Sequence, residues 1–287
     1  MRVLRATALT VNSPTFVGAD GESPANTAST PVAAVAREDG TALTAATVSA
    51  TPVSTGVYSA SITTTHTAQL DRLKVTWTGT AGSLAQTYTT ELEVVGAHYA
   101  SVPEIRDEQG LDNTSTFPLH LIRRVRDAWA NRVEDACGVS FVPRYERDVL
   151  AGDGTSRLAL SHIRPLSLIA VTIDGTSQTL SSFSLHDSGM IEFEGSTFPT
   201  SSTGPNVTVT YEHGFPNVPE DVHHEVLKAI RYELRRYKDP MATDVLSQTF
   251  ENGATVRYPI ASAERPTGLP SLDAVLARYM FRAPAVG

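Results

Sequence analysis

Hydrophobic positions recur along this chain with two different periods. In residues 1–97 they alternate with polar ones. Leu73-Lys74-Val75-Thr76-Trp77 and Tyr88-Thr89-Thr90-Glu91-Leu92-Glu93-Val94 each gather apolar side chains on one face and polar ones on the other. Successive side chains of a strand point to opposite faces, so this pattern predicts strands with one side on a core. β-prone runs at 3–11, 32–36, 48–52, 57–62, 73–77 and 87–95 lie between turn signals such as Asp39-Gly40 and Gly79-Thr80-Ala81-Gly82. Residues 12–30, rich in Ser, Thr, Pro and Gly, predict a long loop. About seven short strands in so few residues predict an Ig-like β-sandwich, on strand spacing alone because no cysteine pair is present.

Behind residue 97 the period lengthens. Phe117, Leu121, Val125, Trp129 and Val133 recur every four residues, which predicts one apolar stripe on a helix over 117–137. Arg123, Arg124, Arg126, Asp127, Asn131 and Asp135 lie off that stripe. Ser115-Thr116-Phe117-Pro118 offers a capping hydroxyl and a first-turn proline, and Gly138 a stop. A short helix at 102–109, stopped by Gly110, precedes it. A second long helix, 219–238, opens on Pro219 with Glu220 and Asp221 in its first turn. It closes with Arg235, Arg236 and Lys238, the charge order a helix dipole favours. Its stripe is Val222, Val226, Ile230, Leu234 and Tyr237, and Pro240 ends it. Pro270-Ser271 caps a final helix over 271–280, and an extended tail follows. Between the long helices strands return at 141–150, 156–160, 168–173, 183–186, 190–193 and 207–211. A hairpin turn is predicted at Gly152-Asp153-Gly154-Thr155, a turn at Asp174-Gly175-Thr176 and a Gly253-centred hairpin at 247–258.

Composition places the boundary between these regions. Residues 1–97 hold 12 charged side chains and the 190 residues behind them hold 42, so the front is about half as charged and crowded with Thr, Ala, Ser and Val. The shift falls near 96–103 and predicts two domains, 1–97 and 98–287. A net charge of −8 argues against a nucleic-acid binder, which concentrates basic residues on one face. No run approaches the ~18 apolar residues that span a bilayer. The N-terminus lacks a continuous apolar segment, so no export signal is expected. Cys137 is the single cysteine, which excludes an internal disulfide and fits a reducing compartment.

Candidate chemistry is sparse. His223 and His224 are adjacent on a helix and so point about 100° apart, whereas zinc ligands on one face sit three or four residues apart. His213 lies outside that helix. Cys137 falls beside the apolar stripe at a helix end, the wrong place for a low-pKa thiol, and reads as a core residue. Gly152-Asp153-Gly154-Thr155-Ser156 lacks the Gly-Lys-Ser/Thr ending of a phosphate loop. Glu192 and Glu194 share one face of a predicted strand and read as a solvated edge. Arg123, Arg124 and Arg126, the densest basic cluster, have acidic neighbours and fit protein–protein ion pairs or a solvated face. No catalytic, cofactor or metal residues are therefore assigned, and the chain reads as a non-enzyme.

From residue 102 to the end the sequence resembles the head-to-tail adaptor (head-tail connector) proteins of tailed phages. The likeness is carried by the 117–138 helix ending in Ala136-Cys137-Gly138-Val139-Ser140-Phe141 and by Arg164-Pro165-Leu166 with Leu168-Ile169-Ala170-Val171-Thr172-Ile173. It continues in Val207-Thr208-Val209-Thr210-Tyr211-Glu212-His213-Gly214 and Val218-Pro219-Glu220-Asp221-Val222. Gly268-Leu269-Pro270-Ser271-Leu272-Asp273-Ala274-Val275-Leu276-Ala277-Arg278-Tyr279 with Pro284-Ala285-Val286-Gly287 completes it. The resemblance implies a multidomain α+β chain, with the Ig-like sandwich ahead of a helical connector domain that carries an inserted β-element at about 139–213. It implies a structural subunit of the virion neck, made in the host cytoplasm and forming a ring with itself, usually of twelve copies. Its partners would be the portal protein and a stopper or tail-completion protein, with DNA passing through the ring lumen without sequence-specific contact. Arg278, Tyr279, Met280, Phe281 and Arg282 are the expected partner-binding residues, because aromatic residues and arginine anchor interfaces well. The competing expectation is an adhesin-like module whose Ig-like domain contacts the host surface. A cell-wall hydrolase is a third, disfavoured by the missing acid/base pair.

Overall fold

Alternation in the front of the chain becomes a paired sheet. In the computed structural model, which describes residues 1–108, 110–201, 204–237, 247–249, 255–257 and 266–280, the chain divides into two units. One is residues 1–96 with 144–146, the other residues 97–143 with 147–287. In the first unit the run at 3–11 breaks in two. β1 (Arg2–Leu4) pairs parallel with the later strand Leu84–Val95, and β2 (Leu9–Asn12) pairs antiparallel with Ser59–Ile62 in another sheet. The chain changes sheets between them, and Ala6 takes a left-handed φ of 56° there.

The first sheet runs β1-β7-β6-β3, with β3 at Val32–Ala36, β6 at Asp71–Ala81 and β7 at Leu84–Val95. The second runs β2-β5-β4, with β4 at Thr47–Val48 and β5 at Ser59–Ile62. Leu73, Val75 and Trp77 are fully buried on one face of β6. The β6–β7 turn lies at Gly82-Ser83, three residues beyond Gly79; both take positive φ, as a two-residue hairpin requires. Gly79 pairs with Gln86 inside the strand, where a Cβ would crowd Thr27 and the Phe16 ring. Phe16 anchors the long loop at 12–30, its ring meeting the edges of Tyr58 and Tyr88. Gln86 accepts from and donates to the Val17 backbone.

Among the described residues of the second unit four helices surround one apolar core: α1 (Val102–Asp107), α2 (Leu119–Cys137), α3 (Glu220–Tyr237) and α4 (Pro270–Leu276). The α2 stripe is buried throughout, and so is the α3 stripe from Val222 to Leu234, while Tyr237 is exposed. Each fully buried side chain of this size contributes roughly 1.5–3 kcal/mol. No hydroxyl caps α2; Pro118 stands at its start, and Asn113 Oδ1 instead accepts from the amides of Ser115 and Thr116. Gly138 ends α2 in the left-handed conformation at φ 68°. α4 stops at Leu276, short of the predicted 280, because its last amides tighten to i−3 acceptors: Arg278 donates to Val275 and Tyr279 to Leu276. Among the described residues no helix is long and apolar enough to cross a membrane.

Between α2 and α3 lie β8 (Arg144–Leu150), β9 (Arg157–Ala159), β10 (Pro165–Ile173), β11 (Thr176–Ser177), β12 (Phe183–His186), β13 (Met190–Phe193) and β14 (Val207–His213). They form two sheets, β11-β10-β14-β8 and β12-β13-β9. Gly152-Asp153-Gly154-Thr155 therefore links strands of different sheets and is not a hairpin. Asp174-Gly175 is one: both residues take positive φ between β10 and β11. β15 (Ser247–Thr249) and β16 (Thr255–Arg257) pair antiparallel, while Gly253, Lys238 and Pro240 lie outside the described residues.

The expected fold class needs correction. Among the described residues strand accounts for 34% and helix for 21%, so they are mostly β, and the expected pairing of an Ig-like sandwich with a helical connector domain does not describe them. Residues 147–213, between α2 and α3, are no minor addition to a helical domain. They carry a core of their own, with Val171, Ile191, Phe198, Val207, Val209 and Tyr211 fully buried. Long capped helices announce themselves strongly in a sequence, whereas short strands with register shifts, such as those of β10 against β14, do so weakly.

Candidate functional site

The expected partner-binding residues fall where α4 ends beside the start of α3. Asp221, in the first turn of α3, is the organising group. Its Oδ1 accepts from the Tyr279 hydroxyl at 3.0 Å, and its Oδ2 lies 3.4 Å from Arg278 Nη1. The Tyr279 ring meets Phe141 edge-on at 5.2 Å and Phe215 at 5.9 Å, so the phenol is fixed at both ends. Burial raises the Tyr279 hydroxyl above its ordinary pKa, and its hydrogen bond to the Asp221 carboxylate adds to the rise. Met280 is half-buried against the helical core and donates its amide to the Leu276 carbonyl. Arg278 is exposed. The sequence placed these three side chains together as interface anchors; two of them pack on their own unit and one reaches outward. Phe281 and Arg282 lie outside the described residues.

Around this end lies an open cleft lined by Pro219, Glu220, Asp221, His223, His224 and Tyr279. His223 is half-buried with Nε2 3.6 Å from Glu104 Oε1, and His224 is exposed. Glu104 is held below the usual carboxylate range by hydrogen bonds from Ser101, with which it forms a capping box at the start of α1. These carboxylates, imidazoles and one guanidinium suit a polar binding surface.

The remaining candidates disperse. Cys137 is buried, and burial pushes its thiol up to about 12, the opposite of an activated nucleophile. Glu192 receives Arg157 and His186, whose hydrogen bonds lower its pKa, whereas Glu194 lies beyond the end of β13 and is exposed. Arg126 is buried despite lying off the apolar stripe and donates twice to Asp127; Arg124 is exposed and lies 5.7 Å from the Tyr237 ring centroid. His213 is buried and stacks on His162, a residue that no spacing rule singled out. Their proximity follows from β10–β14 pairing, which a local pattern does not encode. Compared with protein-family models and with curated proteins, the sequence matches neither a family nor an individual protein.

Proposed function

We propose that this protein is a structural subunit of a tailed-phage neck. In this reading it forms a ring with further copies of itself between portal and stopper, and so joins the DNA-filled head to the tail. The observation that carries the proposal is the anchoring of the α4 end. Tyr279 is tied to Asp221 and wedged against Phe141 and Phe215, while Arg278 faces outward. Whatever follows residue 280 thus starts from a fixed point, and a segment presented from a fixed point loses less freedom on docking. The ordered likeness of residues 102–287 to head-to-tail adaptors supports the same reading. A helical connector domain forms no part of it.

The test mixes purified full-length protein with portal rings and images the mixture by electron microscopy. A symmetric ring bound to portal is expected. Failure to associate, together with normal joining of heads to tails when the protein is deleted, would sink the proposal. Removing residues 281–287 is expected to leave the fold intact and weaken portal binding; unchanged binding removes the tail from the interface.

A further inference from the structure

We propose that His162 and His213 form a binding site for one divalent transition-metal ion of the zinc, nickel or copper class. The site is separate from the α4 end and does not depend on the neck assignment. His213 is the last residue of β14, and His162 lies in the connection from β9 to β10. The register that sets Pro165 opposite His213 brings the two histidines together. Their rings are parallel within 4°, with centroids 4.0 Å apart, and a ring nitrogen of each lies within 4.8 Å of the other.

The backbone on both sides is fixed. Ser161 donates its amide and its hydroxyl to Asp148, and the His162 amide donates to the Tyr211 hydroxyl. Arg164 donates its amide to Asp187 and accepts from the Gly214 amide, while itself holding a left-handed φ of 57°. A non-glycine residue in that region is strained and persists only where its surroundings impose it. Two histidines on fixed backbone favour chelation, since only side-chain torsions remain to be set.

Imidazole nitrogens are borderline ligands that favour copper, nickel and zinc, whereas magnesium and calcium take oxygen donors. His213 is 2% exposed and His162 half-buried, so an ion arrives on the His162 side. Stacked parallel rings do not aim their in-plane lone pairs at one point. Binding therefore turns the His162 ring about its side-chain bonds toward the ion, while His213 stays packed.

Tag-free full-length protein, titrated with zinc, nickel or copper chloride, tests this by equilibrium dialysis and thermal unfolding. One ion per chain is expected, with Tm raised by about 5–10 °C at a hundredfold excess over Kd. Magnesium chloride should raise nothing. His162→Gln, a change at a half-buried ring, should keep the metal-free Tm and lose the metal-dependent rise. The double variant His223→Gln with His224→Gln should retain both. The proposal is overturned if none of the three ions binds, or if His162→Gln binds as the unaltered protein does. It is equally overturned if the double variant alone loses binding, which would move the ligands to the start of α3. Should His162→Gln fail to fold, His162→Asn with the same readouts decides the matter.

Discussion

Along α2, Leu121, Val125, Trp129 and Val133 reach the core from one helical face, and α3 answers with Val222, Val226, Ile230 and Leu234. Around β10 and β14 the same unit relies on different devices. Asp174, Gly175, Gly189 and Gly214 hold left-handed backbone, Arg164 holds it without being glycine, and buried Asp148 gathers Ser161 and Tyr211. The helical layer depends on side-chain volume, and the β layer depends on backbone conformation at a few points. One region should therefore be sensitive to cavities and the other to added Cβ atoms.

The largest break in that comparison should come from the helical side. Trp129 is 3% exposed in the middle of the stripe. Trp129→Ala should cost about 3–5 kcal/mol in urea unfolding, because the surrounding helices cannot close the cavity. Trp129→Phe should cost far less, since the indole N–H finds no acceptor among the described residues and its loss is nearly free. On the β side, Gly214 takes φ 111°, and a Cβ there would collide with the Val142 carbonyl oxygen. Gly214→Ala should cost about 2–3 kcal/mol. Gly175 has φ 74° but open space, so Gly175→Ala should cost only about 1 kcal/mol. Equal losses at the two glycines would show that strain in φ, and not the carbonyl contact, sets the cost.

Helix positions were legible because a stripe repeats. Phe117 to Val133 fixed α2, and Gly138 fixed its end to the residue. Legibility failed where a residue's role is set by a distant neighbour. Gly79 reads as a turn residue and is a packing residue, because Phe16 and Thr27 approach it from elsewhere in the chain. Arg126 reads as part of an ion-paired or solvated cluster, yet it is buried and paired with its neighbour Asp127. The stack of His162 on His213 depends on strand register across 51 positions, and no local period announces it. At the α4 end, Arg278, Tyr279 and Met280 were singled out by composition, but only the fold shows that Tyr279 bonds to Asp221.

Cys137 offers a subtler probe of the helical layer. Its thiol, ordinarily near 9.0, is pushed up to about 12 by burial. Below pH 9 the thiol is protonated in folded and unfolded chains alike, and the group has no effect on the pH dependence. From pH 9 upward the unfolded chain loses the proton first. Stability should then fall by up to about 1.4 kcal/mol per pH unit until the folded thiol titrates. Urea midpoints between pH 8 and 11 should show this extra slope in the unaltered protein and lose it in Cys137→Ala. An identical slope in both would assign it to other groups.

The smallest expected effect comes from α1, where the helical layer borrows the backbone-fixing logic of the β layer. Ser101 Oγ accepts from the Glu104 amide at 3.3 Å, and the Ser101 amide donates to Glu104 Oε2 at 2.6 Å. Both bonds are open to solvent, so water replaces part of what a substitution removes. Ser101→Ala should cost about 1 kcal/mol, and Ser101→Asp, which can still accept the Glu104 amide, distinctly less. Because these bonds keep the Glu104 carboxyl below its ordinary range, their contribution is present at neutral pH and fades as acid protonates Glu104. The gap between unaltered protein and Ser101→Ala should therefore narrow on going from pH 7 to pH 3. A gap that stays constant would mean that the bond from the Glu104 amide to the Ser101 hydroxyl, which acid does not titrate, carries the whole difference.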